Sequence, residues 1–331
     1  MNTLNRIDSF LGRNMAILVL ICVTLGICFN TTLDVLSALN VPLFAFLTFA
    51  NSLGGGFREM GRVFLKPAPV VVTLLLLHVV MPLLSLGLGR ALFPDAPLFT
   101  MGLVLEFAIP TGVSALMWVS LSRGNTALCL SLVMLDTICA PVVVPLTLKL
   151  LVGSVVHLDT LGMVKNLMIM VGIPALLAMA LYDFSHGKQT AVWKPRLAPF
   201  AKVSMLLVVT ANATGCSPFL RNLDGTLIKV ILAVFTLCLL GFFLGYWSGR
   251  LLGQDFPTVQ TMTLNTGMRN ISAGAVLAQQ YFPGDVLFPV AFSPVFLQLT
   301  TSLVVKLLRR TPTGRADQAD YLRLQAEQAP E

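Results

Sequence analysis

Arg269 is the residue whose chemistry most needs a partner. It lies in residues 256–282, a run with no other charge, within Leu264-Asn265-Thr266-Gly267-Met268-Arg269-Asn270. The run is long enough to cross a bilayer. An arginine near the middle of such a helix costs roughly 2.5–3.5 kcal/mol on insertion scales, so an intramembrane charge marks a functional site or a fixed ion pair. A guanidinium can grip a carboxylate or sulfate through two parallel bonds. Two acids lie in other apolar runs, Glu106 and Asp136. Each can pair with Arg269, and each can carry a proton, because burial disfavours a charged carboxylate. Glu106 falls one turn before Pro110 and is expected near any break there, whereas Asp136 falls five residues before Pro141, deeper in its segment. His78 is either a packing residue or a proton relay. Asn265 and Asn270 flank the arginine, Thr111 and Ser114 surround Pro110, and Gln298 is a polar group in the last apolar run. With Arg269, these five are the candidate solute contacts.

Positioning such residues takes helices interrupted in mid-membrane. Two runs are disrupted in this way, Glu106 to Ala115 and Asn265 to Gly274. In the first, Pro110 removes a helix donor and Gly112 loosens the backbone; in the second, Gly267 acts with its flanking asparagines. Paired breaks at matched positions are the best sequence pointer to a transporter's solute site.

The rest of the chain supplies the membrane. Of 331 residues 56% are hydrophobic and 11% charged, against about 25% charged in a soluble domain. Ten segments reach bilayer length: 15–31, 33–54, 69–93, 97–121, 125–152, 162–182, 198–219, 226–252, 256–281 and 286–308. They are apolar all round, which fits helices and not barrel strands. The first has no small-residue cleavage site and reads as an uncleaved helix, not a signal peptide. With the N-terminus inside, 16 of the 22 lysines and arginines fall at cytoplasmic ends and five opposite, Arg269 being the remaining one. That asymmetry puts both termini in the cytoplasm and explains the net charge of +7 without nucleic acid. The loop Tyr182 to Pro199 divides the segments five and five, so the second half must insert upside down. The expectation is an all-α integral membrane protein in a bacterial-type inner or plasma membrane. One domain covers residues 1–310, followed by a short, polar, frayed cytoplasmic tail at 311–331.

Other chemistries lack their residues. The six cysteines lie in or near apolar runs without a C-x-x-C, and read as small buried apolar groups. Gly54-Gly55-Gly56 has neither the lysine nor the preceding strand of a phosphate loop. No H-E-x-x-H, G-x-S-x-G or Cys/His metal spacing is present, so neither an enzyme nor a metal cofactor is expected.

Several motifs together resemble the bile acid:sodium symporter family. Pro110-x-Gly112-x-Ser114 with Arg123-Gly124-Asn125-x-Ala127-Leu128 is similar to its fourth span, and Gly267-Met268-x-Asn270 with Leu277-Ala278 to its ninth. Leu65-Lys66-Pro67 and Met81-Pro82 fit the second loop and third span. The resemblance implies two inverted five-helix repeats, with spans 1, 2, 6 and 7 forming a panel. Spans 3, 4, 5, 8, 9 and 10 would form a core in which broken spans 4 and 9 cross. It also implies an organic anion, bile-acid-like or a small carboxylate, bound between core and panel near Asn270.

The departures concern sodium. Where the family's sodium-coupled members carry a glutamate and a glutamine in span 9, this chain has Asn265 and Arg269; their Ser-Asn in span 4 is Ala115-Leu116. A serine and a threonine of span 5 are Cys129 and Val133, and a glutamine of span 3 is Leu77. Sodium needs oxygen ligands and compensating negative charge, and a fixed guanidinium would repel it. The resemblance therefore implies lost sodium sites, with transport proton-coupled, by exchange or facilitated. It adds a third reading of Arg269, a stand-in for the sodium charge. The rival readings of the whole chain are a non-transporting sensor or assembly partner of the same fold and, with less support, an intramembrane enzyme. The solute, the transport direction and the oligomeric state are not written in these residues.

Overall fold

A computed structural model describes residues 3–61, 67–112, 114–153, 158–221 and 224–327. Arg62, Leu65 and Lys66 of the second loop, Val113 of the first break and the tail end at 328–331 lie outside the described residues.

The described chain is almost wholly helical. Helix α1 (Thr3–Cys28) is bent by 72° between Met15 and Ile17. Short α2 (Asn30–Leu33), a 3-10 turn (Asp34–Leu39) and α3 (Asn40–Ser52) stack into one segment, followed by α4 (Phe57–Gly61). Helices α5 (Pro67–Leu75) and α6 (Met81–Leu92) are joined by a π turn, Leu76–Val80. The next span is split into α7 (Pro97–Ala108) and α8 (Ser114–Ser122), and α9 (Thr126–Val152) is continuous. Helices α10 (Thr160–Leu167) and α11 (Ile173–Phe184) flank a second π turn, Met168–Gly172. Long α12 (Lys188–Arg221) and α13 (Gly225–Leu251) precede a second split span, α14 (Phe256–Gly267) and α15 (Ile271–Tyr281). Helices α16 (Gly284–Phe292), α17 (Pro294–Arg310) and α18 (Pro312–Glu327) complete the chain.

Local chemistry explains the boundaries. Asn125, Asp159, Asp224, Asp255 and Asn270 each cap a helix by accepting a backbone N–H three residues on, which satisfies a donor the helix leaves orphaned. Each π turn runs straight into an X-Pro pair, Met81-Pro82 or Ile173-Pro174. A proline cannot donate to the preceding turn and its ring crowds it, and a widened turn relieves both faults.

Among the described residues, seven helical segments are long and apolar enough to cross a membrane, or eight with the bent α1 taken as one span. The split spans fail that length criterion for a geometric reason: α7 and α14 have 12 residues each, about 18 Å of rise against a hydrocarbon core of about 30 Å. The outer surface is apolar, with Leu20 and Ile21 on α1, Leu146 and Leu150 on α9, and Leu232 and Phe243 on α13 exposed. Charged and amide groups instead lie inside, among them Glu106, Asp136, Gln260, Asn265 and Arg269. That inversion of the soluble pattern is what a lipid solvent selects.

Helices α1, α3 and α11 pack on α12, while α7 occupies the centre against α6, α9, α15 and α16. Helix α13 lies along α14 at backbone distance. Gly241, Gly245 and Gly249 allow this, since a Cβ on any of them would stand 2.8–3.1 Å from Thr266 O, Met262 O or Val259 Cα. One expectation is corrected here. The residues after Arg310 are not frayed: 312–327 form α18, whose Gly314 lies close to Phe256 of α14.

The crossing of the split helices as a candidate solute site

The two interruptions meet at the centre of the molecule. Ile109, capping α7, and Met268, capping α14, are both extended. Thr111 and Arg269 pair there as an isolated antiparallel bridge. The Asn270 N–H donates to Pro110 O at 2.8 Å, and the Thr111 hydroxyl donates to Asn265 O at 3.0 Å and Met268 O at 3.2 Å. Each span thereby satisfies backbone groups that the other's break has freed, as a water-poor interior requires. Gly112 permits the contact, because a Cβ there would sit 2.8 Å from Arg269 O. Gly267 has no room for one at all: it would meet Phe242 Cδ1 of α13 at 2.1 Å.

Arg269 is 3% exposed. Its guanidinium carbon stands 5.7 Å from the Phe107 ring centroid, within cation–π range. None of its three side-chain nitrogens has a hydrogen-bond partner among the described residues. Asp136, Glu106 and Cys238 act on it through space. It also follows the C-terminal end of α14, where a cation offsets the helix dipole.

The two acids are placed differently. Glu106, 1% exposed, is hydrogen-bonded by Ser293, at the α16–α17 junction, and its Oε2 is unpartnered among the described residues. Asp136 touches the crossing itself. Its Oδ2 accepts the Thr111 N–H at 2.6 Å, and its Oδ1 lies 2.5 Å from His78 Nε2. Thus the carboxylate that sequence spacing put farther from the break is the one bonded to it, and the nearer Glu106 is held by another helix pair. His78, from the first π turn, is a hydrogen-bond partner of Asp136 as well as a packing residue.

The remaining candidates divide into three groups. Asn265 is fully buried: its amide donates to Thr261 O at 2.9 Å and to Cys129 Sγ, and its oxygen accepts from Thr111 and Cys129. Thr111 is likewise buried within the bridge. Asn270 and Ser114, half-buried, stand at the N-termini of α15 and α8 beside the crossing. Gln298 is elsewhere: it is exposed and accepts the Trp118 indole N–H at 2.8 Å.

Sequence reading missed Phe107 and Ser293, and also an amide cluster. The Asn40 amide donates to Asn212 Oδ1 at 3.2 Å and Gln279 Oε1 at 2.8 Å, and Gln279 donates to Ala211 O at 3.3 Å. This cluster ties α3 and α12 to α15. An amide inside an apolar run was the available signal.

An apolar-coated helical bundle whose centre is a charged crossing of two broken helices defines a membrane transporter. The chain belongs to the Sodium Bile acid symporter family, whose model matches residues 41–217. It is 36% identical over 268 residues to uncharacterized protein YbaS of Bacillus subtilis, covering 81% of this chain and 88% of that one. It is 25% identical to an uncharacterized sodium-dependent transporter of the same organism, YocS, over 92% of this chain and 93% of that one. A probable chloroplastic sodium/metabolite cotransporter of rice, BASS2, is 27% identical over 83% of this chain and 65% of its own length.

Proposed function

We propose that this transporter carries an organic anion without sodium coupling, and that Arg269 is a resident cation in place of a travelling one. The single observation carrying this reading is the buried Arg269 guanidinium, acted on through space by two carboxyl groups with no donor engaged among the described residues. The positions that would need oxygen ligands support it. Leu77, Ala115 and Cys129 are buried without a carboxylate or amide side chain, Val133 offers no donor, and the Asn265 amide is engaged within the crossing. The residues present do not fit sodium.

The solute anion meets Asn270 and Ser114 at the N-termini of α15 and α8, whose dipoles favour negative charge. Arg269 adds a fixed field from behind, while Asn265 and Thr111 hold the crossing. Ten spans in two inverted repeats, with both termini in the cytoplasm of a bacterial inner membrane, complete this reading. Support comes from the ten apolar segments, each of which overlaps one helix or helix pair, and from both splits falling fourth in their halves. Helices α1, α3, α11 and α12 correspond to a panel, and the remaining spans to a core that rocks against it.

The test is uptake of radiolabelled taurocholate and pyruvate into proteoliposomes. Uptake above empty-liposome background, equal with and without a sodium gradient, is expected. A sodium gradient that stimulates uptake overturns the reading.

A further inference from the structure

A tethered cation cannot drive transport, because it returns with the protein on every cycle. The charged groups around the crossing show what can. Arg269 faces Glu106 from α7, Asp136 from α9 and Cys238 from α13, with Cys129 and Cys139 also on α9 and His78 on the π turn before α6. One guanidinium, two carboxyls and an imidazole share an interior where net charge is costly, so the charge of the group depends on where its protons sit.

Geometry separates the places where a proton can sit. Glu106 is 1% exposed and bonded to Ser293, with Oε2 unpartnered among the described residues but sealed from any aqueous path by its burial. Asp136 has both oxygens committed, one to His78 and one to the Thr111 N–H, and its side chain is 0% exposed. The His78 side chain keeps 12% of its surface exposed. Its Nε2 is given to Asp136, but Nδ1 has no partner among the described residues. The ring can therefore take a proton on the Nδ1 lone pair and release it again without breaking the bond to Asp136. An imidazole is the side chain suited to that exchange near neutral pH. The π turn Leu76–Val80 that presents His78 is a local distortion of the kind that clusters at functional sites.

We propose that His78 and Asp136 form the proton-coupling site of this transporter, wired to the solute site through the Thr111 N–H. It rests on the sodium-independent reading and names the ion that replaces sodium. With the proton on His78, the imidazolium shares the Asp136 charge. Without it, the Asp136 carboxylate bears more strongly on Thr111 and on Arg269, the two residues of the antiparallel bridge. Proton and anion then move together, and the net transfer is electroneutral.

Two measurements test it. In the first, purified full-length protein in detergent, without solute, is acidified from about pH 8 to about pH 5.5, across the imidazole range, with proton uptake followed by an indicator dye. Wild type is expected to take up one proton more than His78→Gln; an equal count, or a deficit only in Glu106→Gln, overturns the proposal. Should His78→Gln not fold, nitrogen NMR of a histidine-labelled chain with His157→Gln and His186→Gln reads the His78 ring directly, and a ring that does not titrate overturns it. The second is taurocholate uptake driven by an inside-alkaline gradient, with a ceiling of about tenfold accumulation per pH unit. His78→Gln is expected to lose the gradient's effect yet keep taurocholate exchange at equal pH, and Asp136→Asn to lose the gradient's effect. Gradient-driven uptake persisting in both variants overturns the proposal. Wild-type uptake indifferent to both pH and sodium gradients overturns it too, while leaving the sodium-independent reading intact.

Discussion

The crossing and the Asn40–Asn212–Gln279 cluster are both polar groups set among apolar helices, yet they are built on opposite principles. The crossing concentrates formal charge: Arg269, Asp136 and Glu106 are each at most 3% exposed. The amide cluster carries none, and three neutral side chains from α3, α12 and α15 are linked through the Asn40 amide N–H groups. Removing the one cation from such a set leaves its carboxyls uncompensated in low dielectric. Removing one amide leaves only unpaired dipoles. The crossing should therefore be intolerant of change and the cluster adjustable.

The sharpest way to break this contrast is Arg269→Leu. It strands two carboxylates, and the expected loss is about 3–5 kcal/mol of stability, read as a large fall in thermal unfolding temperature in detergent. Arg269→Lys should keep most of that stability, since it preserves the charge while weakening the contact with Phe107. If Arg269→Leu unfolds no earlier than wild type, the charge balance assigned to the crossing is wrong. Asn40→Ala comes next. It removes the shared donor of the amide cluster, and a cost of about 1–3 kcal/mol is expected from the two acceptors left behind. A loss as large as that of Arg269→Leu would erase the distinction between the two regions. Gln298→Ala is the smallest change. Its one bond, to Trp118, is at an exposed position, so an unfolding shift within about 0.5 kcal/mol is expected. A collapse of uptake in that variant would restore Gln298 to the solute site.

The sequence disclosed what acts along the chain and concealed what acts across it. Pro110 and Gly267 were readable as breaks because each alters its own backbone. The pairing of the two breaks was readable because both fall at the same place in a five-span count. The partners were not. His78 and Asp136 are 58 residues apart, and spacing along separate helices says nothing about which faces meet. Ranking Glu106 nearer to the break than Asp136 followed from counting residues within a span; the bond to Thr111 depends on how α9 is placed against α7. Helix α18 was missed for another reason. Hydropathy sees only its polar surface, whereas its alanines, leucines and glutamines are good helix formers, and the contact of Gly314 with Phe256 supplies an anchor.

The amide cluster also bears on speed. Every bond in it joins neutral groups, at 2.8–3.3 Å, and water can replace a neutral amide bond at almost equal enthalpy. Prising α15 away from α3 and α12 at that point needs no charge to be uncovered and no ion pair to be torn apart. The seam is a clasp that water can undo link by link. It opens by a sequence of small steps, each far shallower than the single steep one that an arginine–carboxylate lock would impose.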